Sequence, residues 1–349
     1  MSVEMKRAGR RKRVPGHGVT LQQVADYVKL TKGTVSNILN GSPSAQTIPE
    51  KTKQRVYDAV RLLNYQPNFF ARTLAKKRTF TVGVITEGIG DAYGGIVVSG
   101  IESFLSAHKY FFMAVAHRHN AELLEQYSEL LRARGIEGLL IVDSVIMPRS
   151  PLPMVAVAGH QHIAGVTNVI LDHDLAASLV LRHVVELGHR RIAFMRGQPF
   201  SADSSERWLA LCRAAQTMGV EVCEDRTIQI QEGGPTPDPG FHTTKRLLAR
   251  RKKFSALVSY NDISAIGAMR ALREHGLSVP DDVSVVGFDD IREAAYCTPS
   301  LTTVRQPLFR MGALAAEILV ERIEKRSKSA DQVAVAPELV VRESTAPLR

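Results

Sequence analysis

From residue 20 the hydrophobic positions follow a helical period. In "TLQQVADYVKL", Leu21, Val24, Ala25 and Val28 fall at i, i+3, i+4 and i+7, behind Thr20 as an N-cap. A few residues later Thr31 is a second N-cap, opening "KGTVSNILNG", where Val35, Ile38 and Leu39 form the apolar face. Two short helices joined by so tight a turn make a helix-turn-helix. A third helix is expected from about Pro49, whose missing N–H is harmless in a first turn, with Val56, Val60 and Leu63 facing inward. After residue 80 the pattern changes. Short β-rich apolar runs alternate with helical stretches: "TVGVI" (81–85), "FFMAVA" (111–116), "GLLIV" (138–142), "MVAVA" (154–158), "RIAFM" (191–195), "TIQIQ" (227–231), "ALVSY" (256–260) and "VSVVGFD" (283–289). Strands buried on both faces and separated by helices predict doubly wound parallel sheets. About eleven strand candidates suit two α/β lobes better than one, with a ligand cleft at the carboxyl ends of the strands.

Charge divides the chain at the same place. Residues 1–80 carry 16 Lys+Arg and 4 Asp+Glu, a net +12, and the remainder carries −2. Basic residues spread through 51–78 are not explained by a solvated basic tail such as "KRAGRRKR" (6–13), so the head is expected to meet a polyanion. No apolar run approaches the ~20 residues of a membrane span, and no apolar segment follows the basic N-terminus as in a secretory signal. The three scattered cysteines, Cys212, Cys223 and Cys297, have no metal spacing and fit a reducing cytoplasm.

The segment "VTLQQVADYVKLTKGTVSNILNG", with "LNYQPN" (63–68) and "ARTLA" (71–75), resembles the N-terminal region of the lactose/galactose repressor family of bacterial transcription regulators. "ELGHRRIAFMRG" (186–197), "SSERWLAL" (204–211), "VSYNDISAIGAMRALREHGLSVPDDVSVVGFDD" (258–290), "TPSLTTVRQP" (298–307) and "LVVREST" (339–345) extend the likeness through the body. The resemblance implies a multidomain chain. An all-α helix-turn-helix head (19–65) follows a basic disordered tail (1–18). A hinge helix region (66–79) joins it to a two-lobed, periplasmic-binding-protein-like α/β body (80–349). It also implies a homodimer on a palindromic operator in double-stranded DNA, a small effector of sugar or sugar-like type, and no cofactor or membrane. The chain ends soon after "LVVREST" without a leucine heptad, so a dimer and not a tetramer is expected.

Carried over position by position, DNA contacts fall on Thr20, Thr31, Lys32, Gly33, Thr34, Ser36, Asn37, Asn40, Tyr65, Asn68, Ala71 and Leu74. Residues 31–39 become the recognition helix. Lys32 can donate to guanine or hold a phosphate, Asn37 can pair with adenine, and Thr34 and Ser36 suit phosphates. Leu74 matches a hinge leucine that wedges into the minor groove, the alternative being packing against the body. Effector contacts fall on Tyr93, Arg207, Asn261 and Asp289, with Arg207 a forked donor and Asn261 and Asp289 acceptors for hydroxyls. Four positions depart from the family pattern. Lys29 replaces a turn glycine, and would cost on the order of 1 kcal/mol if left-handed. Asn37 replaces a longer side chain. Ala158-Gly159-His160 stands where an acid or arginine is usual, so His160 is either an effector contact or a surface histidine. "GGPTPDPG" (233–240) lacks an aromatic.

Catalysis is not expected. "GIGDAYGG" has GxGxxxG spacing without the acidic residue of a dinucleotide site, and no GxSxG, Walker loop or HExxH occurs. Histidines 117/119 and 160/162 lack a third ligand within reach of sequence spacing, so no metal site is expected. The competing reading, from another class, is a solute-binding protein with an incidental basic head.

Overall fold

The computed structural model describes residues 19–66, 78–118, 120–144, 150–160, 162–231, 233–234, 236–325 and 331–349. The chain divides into two compact units, Met1–Arg78 and Thr79–Arg349.

The head is three helices around one small core. Helix α1 (Leu21–Val28) starts at a capping box in which Thr20 and Gln23 satisfy each other's backbone N–H groups. It stops at Lys29, which is left-handed (φ 54°, ψ 45°). Helix α2 (Lys32–Asn40) begins at Thr31, whose hydroxyl accepts from the Thr34 N–H at 3.1 Å. It ends on Gly41 at φ 60°, the conformation glycine adopts without penalty. A single 3-10 turn (Pro43–Ala45) leads to α3 (Glu50–Leu62), for which Pro49 is the N-cap and not a first-turn residue. Val24, Ala25, Val28, Val35, Ile38, Val56 and Ala59 fill the centre, flanked by partly buried Val60 and Leu63. Arg55 donates to the Val28 carbonyl at 2.9 Å, satisfying a free acceptor at the end of α1 and tying α3 to it.

The body holds two six-stranded sheets. In the first lobe β1 (Thr81–Thr86), β2 (Phe111–Ala116), β3 (Leu139–Val142), β4 (Met154–Val157), β5 (Val166–Leu171) and β11 (Gln332–Val335) lie in the order β11-β5-β4-β3-β1-β2, all parallel. In the second, β6 (Ile192–Arg196), β7 (Thr227–Gln229), β8 (Ala256–Val258), β9 (Ser284–Asp289), β10 (Thr302–Arg305) and β12 (Glu338–Val340) lie in the order β12-β10-β9-β8-β6-β7. Only β12 is antiparallel to its neighbour there. Helices α4 (Ala92–Ala107), α5 (Ala121–Ala133) and α11 (Leu308–Ile323) pack on the first sheet. Helices α6 (His173–Glu186), α7 (Ala202–Thr217), α8 (Asp238–Ala249) and α9 (Asp262–Glu274) pack on the second, with the short α10 (Arg292–Tyr296) beside α9. The chain changes lobes three times, after β5, after β10 and between β11 and β12.

The eight quoted apolar runs all become strands; β5, β10, β11 and β12 complete the sheets. Strand β2 departs from the buried expectation. It pairs only with β1, at the sheet edge, and Phe111 is 64% exposed. An apolar run alone cannot distinguish an edge strand from a central one. Where α4 crosses α11, a Cβ on Gly100 would stand 2.0 Å from the Phe309 carbonyl and one on Gly312 would stand 2.0 Å from that of Val97. Two glycines thus let these backbones touch and close the first lobe.

Candidate functional site

The carboxyl ends of the strands converge on a cavity of about 340 Å³ between the lobes. From the first lobe come Glu87 just after β1, Asp143 just after β3, and Asp91 and Tyr93 at the start of α4. From the second come Gln198 after β6, Asp203 and Arg207 on α7, Tyr260 and Asn261 after β8, and Asp289 closing β9. The crevice beyond the strand ends is where open α/β sheets bind ligands.

Arg207 is the hub. It is 4% exposed, an expensive place for a charge unless its donors are used. One guanidinium nitrogen donates to the Tyr260 carbonyl at 2.5 Å and another to Asp203 at 3.2 Å, with Asp289 at 3.8 Å. The guanidinium carbon lies 3.6 Å from the centre of the Phe288 ring and 4.7 Å from that of Tyr260. Asp203 is shared further: Nε2 of His160 lies 2.5 Å and Nε2 of His173 3.3 Å from its Oδ1. Burial alone would raise the Asp203 carboxyl, but the bonds from the two imidazoles outweigh it and hold the group well below the usual range. Asp289 goes the other way. Burial raises it to about 7, against the pull of Arg207 and of Gln306, which donates to it at 2.6 Å. Asp289 also sits at φ 113°, a conformation side chains rarely adopt and one found where function holds the backbone.

Three buried polar atoms of cavity-lining residues, Tyr93 Oη, Asp143 Oδ1 and Arg207 Nε, have no hydrogen-bond partner among the described residues. A buried polar atom without a partner is costly, and one facing a cavity can be satisfied by water or by a bound molecule. Burial, and then the negative Asp203, push Asp143 well above the ordinary carboxylate range. Below the cavity floor Asp262 fixes the Asp289 strand: its carboxylate accepts from the Ile291 N–H at 2.9 Å and the Thr303 hydroxyl at 2.5 Å.

Of the five effector positions expected from sequence, Tyr93, Arg207, Asn261 and Asp289 line this one cavity. His160 does not. It follows β4 and bonds to Asp203 behind the wall, in the company of His173. Asn261 has its oxygen committed to the Ser264 N–H as N-cap of α9 at 2.9 Å, so the amide NH2 is what it can offer a ligand. Sequence reasoning missed Asp143, Asp203 and His173. Asp143 ends the run "GLLIVD" and could have been flagged as the residue after a strand. The pair read from sequence, His160 with His162, is not the one that meets: His160 joins His173 around Asp203, which lies 43 and 30 residues from them. In space His160, His173 and Asp203 offer donor atoms all within 4.8 Å of one another.

In the head, Lys32 and Gly33 are exposed on the first turn of α2, and Asn37 is half-buried one turn on. Thr31 and Thr34 bond to each other at 2.8 Å, and Asn40 donates to the Ser36 carbonyl at 2.8 Å, stiffening the same face. Thr20 is exposed at its cap and Tyr65 is half-buried against the core. A Cβ on Gly33 would meet nothing nearer than the Thr31 hydroxyl at 3.9 Å, so the fold itself does not require glycine there. Asn68, Ala71, Leu74 and the tail 1–18 lie outside the described residues.

Residues 20–68 match the family described as bacterial regulatory proteins, lacI family, and residues 181–345 match the periplasmic binding protein-like domain. The crystal structure of the lac repressor dimer bound to operator and the anti-inducer ONPF superposes with a TM-score of 0.83 at 26% identity, covering 95% of this chain and 100% of that one. The chain thus carries a lacI-family helix-turn-helix head and a periplasmic-binding-protein-like body. Also similar to it are the transcriptional regulator CelR in its cellobiose complex (TM-score 0.68, 27% identity, 93% of this chain and 99% of that one) and the HTH-type transcriptional repressor PurR of Haemophilus influenzae. The latter is 29% identical over 337 residues, 93% of this chain and 98% of the relative. The left-handed Lys29 occupies the turn between α1 and α2, the turn for which the sequence raises a left-handed backbone.

Proposed function

We propose that this protein is a transcription repressor that reads an operator in duplex DNA through α2 and tunes its affinity with a small effector held between the lobes. The family match over 20–68 carries the DNA reading, and it weighs against a solute-binding protein with an incidental basic head. The exposed first turn of α2 presents Lys32 and the positive end of the helix to the groove, with Asn37 behind. No helix among the described residues is long and apolar enough to cross a membrane. A repressor works beside the chromosome, so we place it in the cytoplasm, as a homodimer matching a palindromic site.

The effector reading rests on one observation: Tyr93 Oη and Asp143 Oδ1 are buried, unpaired among the described residues, and open to a cavity that also presents Arg207, Asn261 and Asp289. A hydroxyl-rich molecule of sugar type satisfies that set, donating to carboxyl oxygens and accepting from the guanidinium and amide. Binding it changes operator affinity through the lobes by a coupling of ~1–3 kcal/mol, or about 5- to 150-fold.

The test is selection of bound fragments from the source genome, followed by fluorescence anisotropy on the enriched sequence across a salt series. The expected result is a palindromic site whose affinity falls steeply with salt and shifts when the right sugar is added. Binding that ignores sequence, or a chain that sediments as a monomer on the selected site, would overturn the reading.

A further inference from the structure

We propose that His160, His173 and Asp203 bind one first-row divalent transition-metal ion of the zinc type, and that the ion fastens the two lobes together. This does not depend on the identity of the organic effector or on the operator.

The three side chains come from different parts of the body. His160 stands on the loop after β4 of the first sheet, while His173 opens α6 and Asp203 lies in the first turn of α7, helices packed together on the second sheet. Both imidazoles direct Nε2 at the same carboxylate oxygen, at 2.5 and 3.3 Å, and all three donor atoms lie within 4.8 Å. Their side chains are 11%, 6% and 5% exposed, so water competes little for the site. In a tetrahedral zinc site with bonds of about 2.05 Å, neighbouring donors stand about 3.3 Å apart. The His173–Asp203 pair already has that spacing, and the His160–Asp203 pair needs to open by about 0.8 Å.

The geometry around the set favours it. Two residues of the His160 loop, Ala158 (φ 55°) and His160 itself (φ 54°), are left-handed without being glycine, a strain that turns His160 back toward α7. Arg207 holds the other oxygen of Asp203 at 3.2 Å and so orients the carboxylate, leaving Oδ1 to the two imidazoles. Two imidazoles and one carboxylate are borderline ligands that select zinc-like ions over magnesium or calcium, which take oxygen. Three protein ligands leave a fourth position, and Asp203 is the member of the set that also lines the cavity.

The experiment is calorimetric titration of chelator-treated full-length protein with zinc sulfate, paired with cobalt(II) substitution read by visible absorption. The expected result is one ion per chain and an intense tetrahedral cobalt spectrum. His160→Gln and His173→Gln should each weaken binding at least 100-fold and bleach that spectrum, with far-UV circular dichroism unchanged. His162→Ala, two residues along the same loop, should leave both intact. Absence of stoichiometric zinc binding by the wild-type chain overturns the proposal, and so does binding that survives in the His160→Gln/His173→Gln double variant. A wild-type chain that binds no zinc while both variants melt at lower temperature would show a hydrogen-bond network instead.

Discussion

Replacing Arg207 by methionine keeps the aliphatic stem against Phe288 and removes the charge, so it isolates what the guanidinium does. Removing one partner of a buried ion pair generally costs about 3–5 kcal/mol, because the other charge is left stranded. Two features lower that here. Asp203 retains His160 and His173 at 2.5 and 3.3 Å. Asp289 titrates near 7, so at neutral pH it takes up a proton at little cost once Arg207 is gone. The lost donations to Asp203 and to the Tyr260 carbonyl remain, each a charge-assisted bond worth roughly 1.5–3 kcal/mol. We therefore expect Arg207→Met to destabilise the second lobe by about 2–4 kcal/mol. Trp208, the one tryptophan of the chain, packs in that lobe against Phe194 with the Arg196 guanidinium over its ring, so its fluorescence in urea reports the transition. Adding Asp289→Asn removes a carboxylate that lost its cation, and the double variant should regain about 1 kcal/mol relative to additivity. A loss below about 1 kcal/mol in Arg207→Met, or strict additivity in the double variant, would refute the account of Arg207 as the electrostatic hub.

Other outcomes follow from the same contacts. Asp289 keeps its proton to about pH 7 when folded, whereas the unfolded carboxyl loses it near 3.9. The folded state thus binds more protons between those values, and stability contributed by this group falls as pH rises from about 4 to about 7. Melting temperatures taken from pH 5 to pH 8 should decline less in Asp289→Asn than in the wild type, and an equal decline would exclude Asp289 as a source. Gly287→Ala would place a Cβ 2.2 Å from Asp262 Oδ1 and 2.7 Å from Leu301, so we expect a loss of more than about 2 kcal/mol and misplacement of Asp289, seen as a lower urea midpoint. Lys29→Gly relieves about 1–2 kcal/mol of left-handed strain and gives back about 0.5–1 in chain entropy. Amide hydrogen exchange in α1 and α2 should slow by about 2- to 5-fold, and unchanged or faster exchange would contradict the strain. Gly33→Gln adds a side chain where the fold has room, so operator selection should change at one base position while the head stays folded. If preference and affinity are both unaltered, Gly33 does not face bases.

How far the sequence could be read depended on whether each feature was local. Caps and helical faces are local, so Thr20, Thr31 and the apolar positions of α1 to α3 were legible in the sequence. The left-handed turn at Lys29 was legible only through the family, because lysine itself signals no such conformation. Strand runs were legible, but their order was not. Nothing in "FFMAVA" says that it lies at an edge, and the three lobe crossings depend on pairings between distant segments such as β11 with β5. The cleft shows the same boundary. Tyr93, Arg207, Asn261 and Asp289 line one cavity, yet what each can donate or accept was fixed by non-local bonds. Asn261 spends its oxygen on a helix cap, and Asp289 shares its charge with Arg207 and Gln306. His160 is the sharpest case. Its sequence neighbourhood offered a cavity contact or a surface residue, and it is neither, because its partners were recruited from two other helices. A side chain's chemistry is thus set by groups that topology delivers, and the His160–Asp203–His173 convergence follows from the chain crossing between lobes immediately before α6. Had β5 led into a helix of its own lobe, His173 would not stand opposite Asp203, and the three donor atoms would have no common point.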